Sequence, residues 1–366
     1  VVAHRETGKV GWFGALAGRR QVPLIGLDLS STRARLVELE RDRSGRWSLV
    51  RLASEPLDKG WISEGHVERL DEVADAVRRV VARSGTRTRR VAMALPASAV
   101  ITRRIRAPAG LRDDEMLAQV ELEMQPHIPF ALDDLSLDFC VLGPPMGDEV
   151  EVFVVASRRD RVEDRQAVAE AAGLVAEILD VDSHAATRAL GRCLAEDATL
   201  AADALIALVT LGADTTRLRV LQGEETLYDR DQPFGGAQLT LALAQTLGTD
   251  FEQAERRKTS EDLSSPAFQG AVSTFVDAQA REIGRALQYF FTSTPHHEVD
   301  RIVLAGGGAT VPGLAQRVAA ITGFPTSAVD PFEAMEIAHG LSRDRLAREA
   351  PAHLTACGLA MRGHLG

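Results

Sequence analysis

Cysteine is scarce in this chain: only Cys140, Cys193 and Cys357 occur in 366 residues, far apart and each among apolar neighbours. That number and spacing exclude a disulfide framework and a zinc site, and they fit a reducing compartment. Each thiol is expected to act as a small buried apolar side chain. Long hydrophobic runs are missing too. No stretch approaches the roughly 20 apolar residues that cross a bilayer, so no transmembrane segment is expected. The N-terminal segment has no apolar core followed by a small-residue cleavage site, so no signal peptide is expected either. Excess positive charge is also absent: 42 Lys and Arg against 52 Asp and Glu leave a net charge of −10. A general nucleic-acid binder needs a basic surface to displace counterions from phosphates, so this balance argues against one. What is present, 45% hydrophobic and 26% charged residues, suits a folded protein with two ordinary domains or one large two-lobed one.

Val1–Gly8 is set aside from the fold. Lys9–Arg20 mixes Trp12, Phe13 and Leu16 with basic ends, and is either a surface helix that touches a membrane or partner, or a flexible leader. From Leu24 the pattern becomes regular. Leu24–Leu39 predicts a hairpin, with Ser30-Ser31-Thr32 between its apolar arms, and Trp47–Ala53 predicts a third strand. Leu70, Val73, Ala74, Val77, Val80 and Val81 recur at helical steps, which predicts a helix over Val67–Arg83 stopped by Gly85. Arg90–Leu95 reads as a buried strand ended by Pro96. A strand–helix–strand–strand unit follows: Val100–Arg106, a helix capped by Asp113 or Asp114 and ending near Gln125, the alternating run Leu135–Val141, and Val150–Ala156. A helix (Arg158–Ala172), a strand (Val175–Val181) and a helix (Ser183–Leu194) lead to a junction at Glu196–Asp203.

Beyond that junction the chain starts again. Leu24–Val37 (LIGLDLSSTRARLV) and Leu205–Leu221 (LIALVTLGADTTRLRVL) both give an apolar strand, a small polar turn and a second apolar strand. Thr32-Arg33-Ala34-Arg35 matches Thr216-Arg217-Leu218-Arg219. A repeat at about half the chain length suggests two related lobes, since solenoid periods are far shorter. Small residues in such turns let backbone N–H groups approach an anion, and Ser or Thr hydroxyls add donors. Two turns facing each other would grip a polyphosphate, and Asp28 could hold magnesium through waters. Downstream, the strand Arg301–Ala305 runs into Gly306-Gly307-Gly308-Ala309, with Pro312 near the first turn of a helix to about Thr322. This strand–glycine–helix order suits a nucleotide, but it is neither G-x-G-x-x-G nor a P-loop, and a plain glycine-rich connection fits as well.

The order of a serine-rich hairpin, a second hairpin half a chain later and a glycine-rich strand–helix turn resembles the actin, sugar-kinase and heat-shock-chaperone superfamily. Within it the chain resembles the PilM family of type IV pilus assembly proteins, from about Pro23 onward. The resemblance rests on GLDLSSTRARLVEL (Gly26–Leu39), VITRRI (Val100–Ile105), QPHIPF (Gln125–Phe130), FGGAQLT (Phe234–Thr240), EQAERRK (Glu252–Lys258), ALQYFF (Ala286–Phe291), IVLAGGGATVPGL (Ile302–Leu314) and ACGLAMR (Ala356–Arg362). It implies an α/β, two-lobed actin-like ATPase fold, a duplicated ribonuclease H-like fold with a small inserted α+β subdomain of SHS2 type. The implied parts are a leader at 1–22, a first-lobe core from 23–97, 173–195 and 340–366, and the insert at 98–172. The second-lobe core would come from 203–235 and 295–339, and its helical subdomain from 236–294.

The resemblance further implies ATP or ADP with Mg2+ as ligands. Asp28, Ser30, Ser31 and Thr32 would form a first phosphate loop, with Arg35 just after it, and Gly212, Ala213, Asp214, Thr215 and Thr216 a second. Gly306, Gly307 and Gly308 would border the base and ribose, and Glu255 and Lys258 would meet them from a helix. Their i, i+3 spacing puts that pair on one helical face, where a solvated surface ion pair is the alternative. The second loop of this superfamily usually begins with Asp, and here Thr210 takes that place. Hydrolysis needs a base to activate water, so no catalytic residue is assigned and turnover is expected to be slow or absent. The implied role is a cytoplasmic scaffold, peripheral to the inner membrane through its partner. It would bind the N-terminal cytoplasmic peptide of PilN and other proteins of the pilus assembly platform, with self-association among its contacts. Such a peptide binds in a groove through edge hydrogen bonds and side-chain pockets. The block Pro126, Ile128, Pro129 and Phe130 is either a rigid packed corner or part of that groove. An actin-fold kinase or phosphatase acting on a small molecule is the alternative.

Overall fold

The computed structural model describes residues 23–364, apart from Ala198, Ala202, Glu224 and the side chain of Arg345. The expectations for the 1–22 leader lie outside the described residues. The chain divides into two compact units, one running through Ala186 and taking in Ala334–Leu341 and the segment from Thr355, the other made of Thr187–Glu333 and Ser342–Leu354.

The first unit opens with an antiparallel meander of β1 (Ile25–Leu29), β2 (Arg33–Arg41) and β3 (Trp47–Pro56). A short pair, β4 (Ile62–Ser63) and β5 (His66–Val67), precedes α1 (Leu70–Ser84). The helix begins later than its periodicity suggests because Val67 pairs with Ile62. Its apolar stripe, Val73, Ala76, Val77 and Val80, is buried, and Gly85 ends it with φ 69° and an N–H to Ala82 O. A left-handed C-cap favours glycine, which has no Cβ to clash. Strand β6 (Arg90–Leu95) lies parallel to β1.

The insert follows as β7 (Val100–Pro108), α2 (Asp113–Met124), β8 (Leu135–Met146) and β9 (Glu149–Arg158), with sheet order β7–β9–β8. Its apolar residues form a cluster of their own, including Met116, Val120, Met124, Ile128, Val152 and Val154. Neither Asp113 nor Asp114 caps α2. Arg112 is the flanking residue and its N–H reaches Glu115 Oε2 at 2.9 Å. Both aspartates stand in the first turn instead, where the helix dipole favours negative charge. Helix α3 (Arg159–Ala171), strand β10 (Val175–Val181) parallel to β6, and α4 (Asp182–Ala195) complete this stretch.

The second unit has β11 (Leu205–Leu211), β12 (Thr216–Gln222) and β13 (Glu225–Gln232), again an antiparallel meander. Helices α5 (Gly236–Leu247), α6 (Phe251–Ser260) and α7 (Gln269–Ser293) lead to β14 (Arg301–Ala305), α8 (Leu314–Thr322) and β15 (Thr326–Ala328). Of the remaining elements, α9 (Arg343–Glu349) belongs to this unit, while β16 (Glu336–Ile337), which pairs with β3, and α10 (Leu354–Met361) belong to the first.

The two sheets repeat one another. One reads β3–β2–β1–β6–β10 and the other β13–β12–β11–β14–β15, each with two antiparallel pairings followed by two parallel ones. The repeat is in register at the turns: Ser30 N–H bonds Arg33 O at 3.0 Å, and Gly212 N–H bonds Thr215 O at 2.9 Å. Residues 30–33 therefore correspond to 212–215. The Thr-Arg-x-Arg match in the sequence is displaced by two residues, since Thr216 pairs with Leu211 as Ala34 pairs with Leu29.

Two glycines allow close crossings in the first unit. A β-carbon on Gly26 of β1 would lie 2.1 Å from Ala356 O of α10, and one on Gly358 would lie 1.8 Å from Ala185 O of α4. Of the cysteines only Cys357 is fully buried; Cys140 and Cys193 are half-buried. Cys193 lies against Ala189 O and Asp330 O, and burial pushes its thiol up to about 11. Among the described residues, no helix is long and apolar enough to cross a membrane.

Candidate functional site

In the first unit the turn between β1 and β2 is built on Ser30. Its hydroxyl lies 3.1 Å from both Arg33 O and Arg33 N, and 3.4 Å from Thr32 N. Thr32 is held through its carbonyl by the Leu57 N–H at 2.8 Å, and Ser31 sits at the middle of the turn. Pairing of β1 with β2 sets Asp28 opposite Arg35. Arg35 Nη1 reaches Asp28 Oδ2 at 3.5 Å and Ser30 Oγ at 3.3 Å, with side-chain exposures of 10% for Arg35 and 16% for Asp28. Burial raises the Asp28 pKa, and the guanidinium groups of Arg35 and then Arg165 oppose that rise.

Arg165, on α3, was not legible as a site residue. It is 1% exposed, donates to Gly65 O at 3.1 Å and Ala94 O at 3.4 Å, and leaves Nη1 without a partner. Burial pulls its pKa down to about 10. A buried guanidinium needs compensating charge, and Asp28 and the neighbouring Asp164 and Asp182 supply it.

In the second unit the turn at 212–215, the glycine run 306–308 and the Glu255–Lys258 pair lie around the same segment. The carbonyls of Gly212 and Ala213 accept the N–H groups of Gly236 and Ala237 at 2.9 and 2.8 Å. A β-carbon on Gly235 would sit 2.5 Å from Ala213 O, so this approach needs glycine. Gly306, at φ 84°, packs on Leu211, where a β-carbon would lie 2.4 Å from its carbonyl oxygen. Gly307 opens a short 3-10 turn, and a β-carbon on Gly308 would lie 2.8 Å from Leu211 Cβ. The glycine run thus seats on the residue that precedes the turn at 212–215.

Lys258 and Glu255 meet at 2.6 Å, but they do not form a solvated surface pair. Lys258 Nζ also donates to Thr240 Oγ1 at 2.7 Å and Gly236 O at 3.2 Å, and the Thr240 hydroxyl donates to Glu255 at 2.5 Å. The cluster lies directly behind the Gly235–Gly236 segment. Thr216 turns inward: its hydroxyl donates to Phe234 O at 2.6 Å and accepts from Gln279 Nε2 at 3.0 Å. Thr215 and Asp214 stay exposed in the turn. Sequence reading passed over Gly235, Gly236, Thr240 and Gln279; only FGGAQLT pointed to the first three, and nothing marked Gln279.

The repeat lets the two turns be compared residue by residue. Thr210 stands where Asp28 stands, facing Arg217 across β11 and β12 as Asp28 faces Arg35. Arg217 instead reaches Asp229 at 3.2 Å and Asp231 at 2.8 Å on β13. The second turn thus has no carboxylate at the position that carries one in the first. Among the described residues no three His, Cys, Asp or Glu side chains gather into a metal-holding group. A magnesium ion at the first turn would have Asp28 as a single protein contact and would depend on phosphate and water for the rest, as this ion commonly does.

The block at 126–130 divides. Ile128 belongs to the insert's core, while Phe130 is 44% exposed with the Arg158 guanidinium 5.4 Å from its ring centre.

Duplicated sheets of this order, each with a turn between its first two strands, define the actin-like ATPase fold. Two solved structures are similar over most of their length. One, a PilM–PilN type IV pilus biogenesis complex, has 29% identity and a TM-score of 0.77, covering 95% of this chain and 100% of that one. The other, the ethanolamine utilization protein EutJ from Carboxydothermus hydrogenoformans, has 18% identity and a TM-score of 0.57, covering 93% and 89%. The family model for type IV pilus assembly protein PilM matches residues 26–364. The chain belongs to that family.

Proposed function

We propose that this protein is a nucleotide-binding scaffold of the type IV pilus assembly platform, which binds ATP or ADP with Mg2+ and receives the N-terminal cytoplasmic peptide of PilN. The observation that carries this is the likeness to a PilM–PilN complex at 29% identity over 95% of the chain. Nucleotide binding is supported by the construction of both turns. The first offers hydroxyls beside a buried Asp28–Arg35 pair, and the second sits among glycines with Lys258 close behind. In this reading the protein works at the cytoplasmic face of the inner membrane, held there by its partner, and contacts other platform proteins and further copies of itself. Turnover is slow or absent, because Thr210 replaces a carboxylate at the second turn and water activation needs a base.

A peptide copied from the partner's N-terminus should bind the full chain in calorimetry with a single saturable transition; absence of heat and of competition would leave a nucleotide-binding protein of other purpose. Phosphate release from Mg-ATP should stay at background. Turnover of several per second would restore the kinase or phosphatase alternative. Lys258→Met should weaken a fluorescent ATP analogue by about tenfold, since one charge-assisted contact contributes on the order of 1.5 kcal/mol. Unchanged affinity would remove the α6 cluster from the site.

A further inference from the structure

Two surfaces remain outside the function just described, each within its own unit. The first is a cleft of about 500 Å3 between α7 and α8. Gly284, Leu287 and Phe291 of α7 and Ile321 of α8 line it together with Phe324. The depth comes from Gly284, where a β-carbon would already be 3.4 Å from Ile321 Cγ2. Ile321 is 36% exposed, so the apolar lining is open to solvent. Arg281 and Arg285 stand on the rim. Arg285 pairs with Glu282 on its own helix, whereas Arg281 makes no ion pair among the described residues.

The second surface is the outer face of α2 in the insert. Leu122 is 62% exposed, a large apolar side chain standing clear on a helix. It is flanked by Glu121 and Glu123, and neither is paired with an arginine or lysine among the described residues. Glu123 accepts only the Gln119 amide, at 3.3 Å. One helical turn back, Ala118 leaves room beside Leu122 for a close approach.

We propose that these two surfaces belong together: the α2 face of one copy docks in the α7–α8 cleft of the next, with Leu122 entering over Gly284 and Glu121 and Glu123 meeting Arg281. A single helix laid in an apolar groove is a recurrent recognition mode, with a protruding apolar anchor and charges at the rim. The pairing answers both uncovered apolar features and both sets of unpaired charges at once. Opposite charges at the rim mainly set register and partner choice. Because the two surfaces differ, the contact is heterologous, and copies add one after another. This deepens the self-association in the proposed function and does not depend on nucleotide or peptide.

Sedimentation of the full chain from low micromolar to several hundred micromolar should show concentration-dependent association that weakens with salt. Leu122→Asp and Arg281→Glu each alter an exposed residue, so melting should be unchanged. Each variant alone should weaken association about tenfold or more, as loss of an interface anchor does. An equimolar mixture of the two should restore a one-to-one dimer, because each still carries the surface the other lacks. A chain that stays monomeric throughout, variants that associate like the parent, or a mixture that remains monomeric would each overturn the proposal. The first of these results would return the cleft to an acidic helix of another protein.

Discussion

Asp28→Ala is expected to abolish the protection that Mg-ATP gives the chain against limited proteolysis, and to weaken nucleotide binding at least about tenfold, or about 1.4 kcal/mol. Asp28 is the penultimate residue of β1, beside the turn at 30–33, and its counterpart in the second unit is Thr210, which carries no charge. Removing the carboxylate has a second effect. Arg35 is 8% exposed and Arg165 1% exposed, and both lose a compensating charge. Breaking a buried pair from one side costs on the order of 3 kcal/mol, so the alanine variant should also unfold at lower urea. Asp28→Asn separates the two effects. It keeps the shape and an acceptor for Arg35, so it should recover the packing and hydrogen-bond share of the lost stability but not the share due to the missing charge, and it should remain as poorly protected by Mg-ATP as the alanine variant. Protection of Asp28→Asn equal to that of the parent would show that the carboxylate charge takes no part in binding.

Gly358→Val should be among the most damaging single substitutions for stability. At this crossing a β-carbon would lie 1.8 Å from the carbonyl oxygen of Ala185 and 2.5 Å from its carbonyl carbon. The obstruction is main chain, so no side-chain rotation relieves it, and α4 and α10 must separate. Overpacking of a tight core costs about 1–3 kcal/mol, and a branched side chain against backbone belongs at or beyond the upper end. Urea unfolding followed by circular dichroism would read this as a lower midpoint with much reduced soluble yield. A midpoint within error of the parent would mean that the two helices have slack at this point.

What was legible beforehand divides along physical lines. Strands were readable where apolar residues alternate or run together, as in Leu24–Leu39 and Arg90–Leu95, and α1 was readable from its stripe. The limits of α1 were not, because Val67 has a longer-range use in the pair with Ile62. The duplication was visible, yet its register was not. Thr-Arg-x-Arg recurs by composition, whereas the turn hydrogen bonds fix the correspondence two residues away. Local patterns likewise cannot show which buried charge serves a site. Arg165 lies in an unremarkable helical stretch, and only folding carries it to the β4–β5 turn and the end of β6. The core role expected of Cys140 failed for the reverse reason. Its strand is one edge of a three-stranded sheet, and an apolar neighbourhood in sequence does not guarantee cover in space.

The meeting of Gly26 with α10 also bears on how the molecule is made. The helix that packs on β1 is synthesised only after the second unit. Domains generally fold as they appear, and here the second unit, most of it contiguous, can do so while one side of the first unit's sheet has α4 against it but not yet α10. During that interval the nascent chain would be open to chaperone capture and to misassembly. Any nick between the second unit and α10 would therefore harm the first unit, which precedes it in the chain.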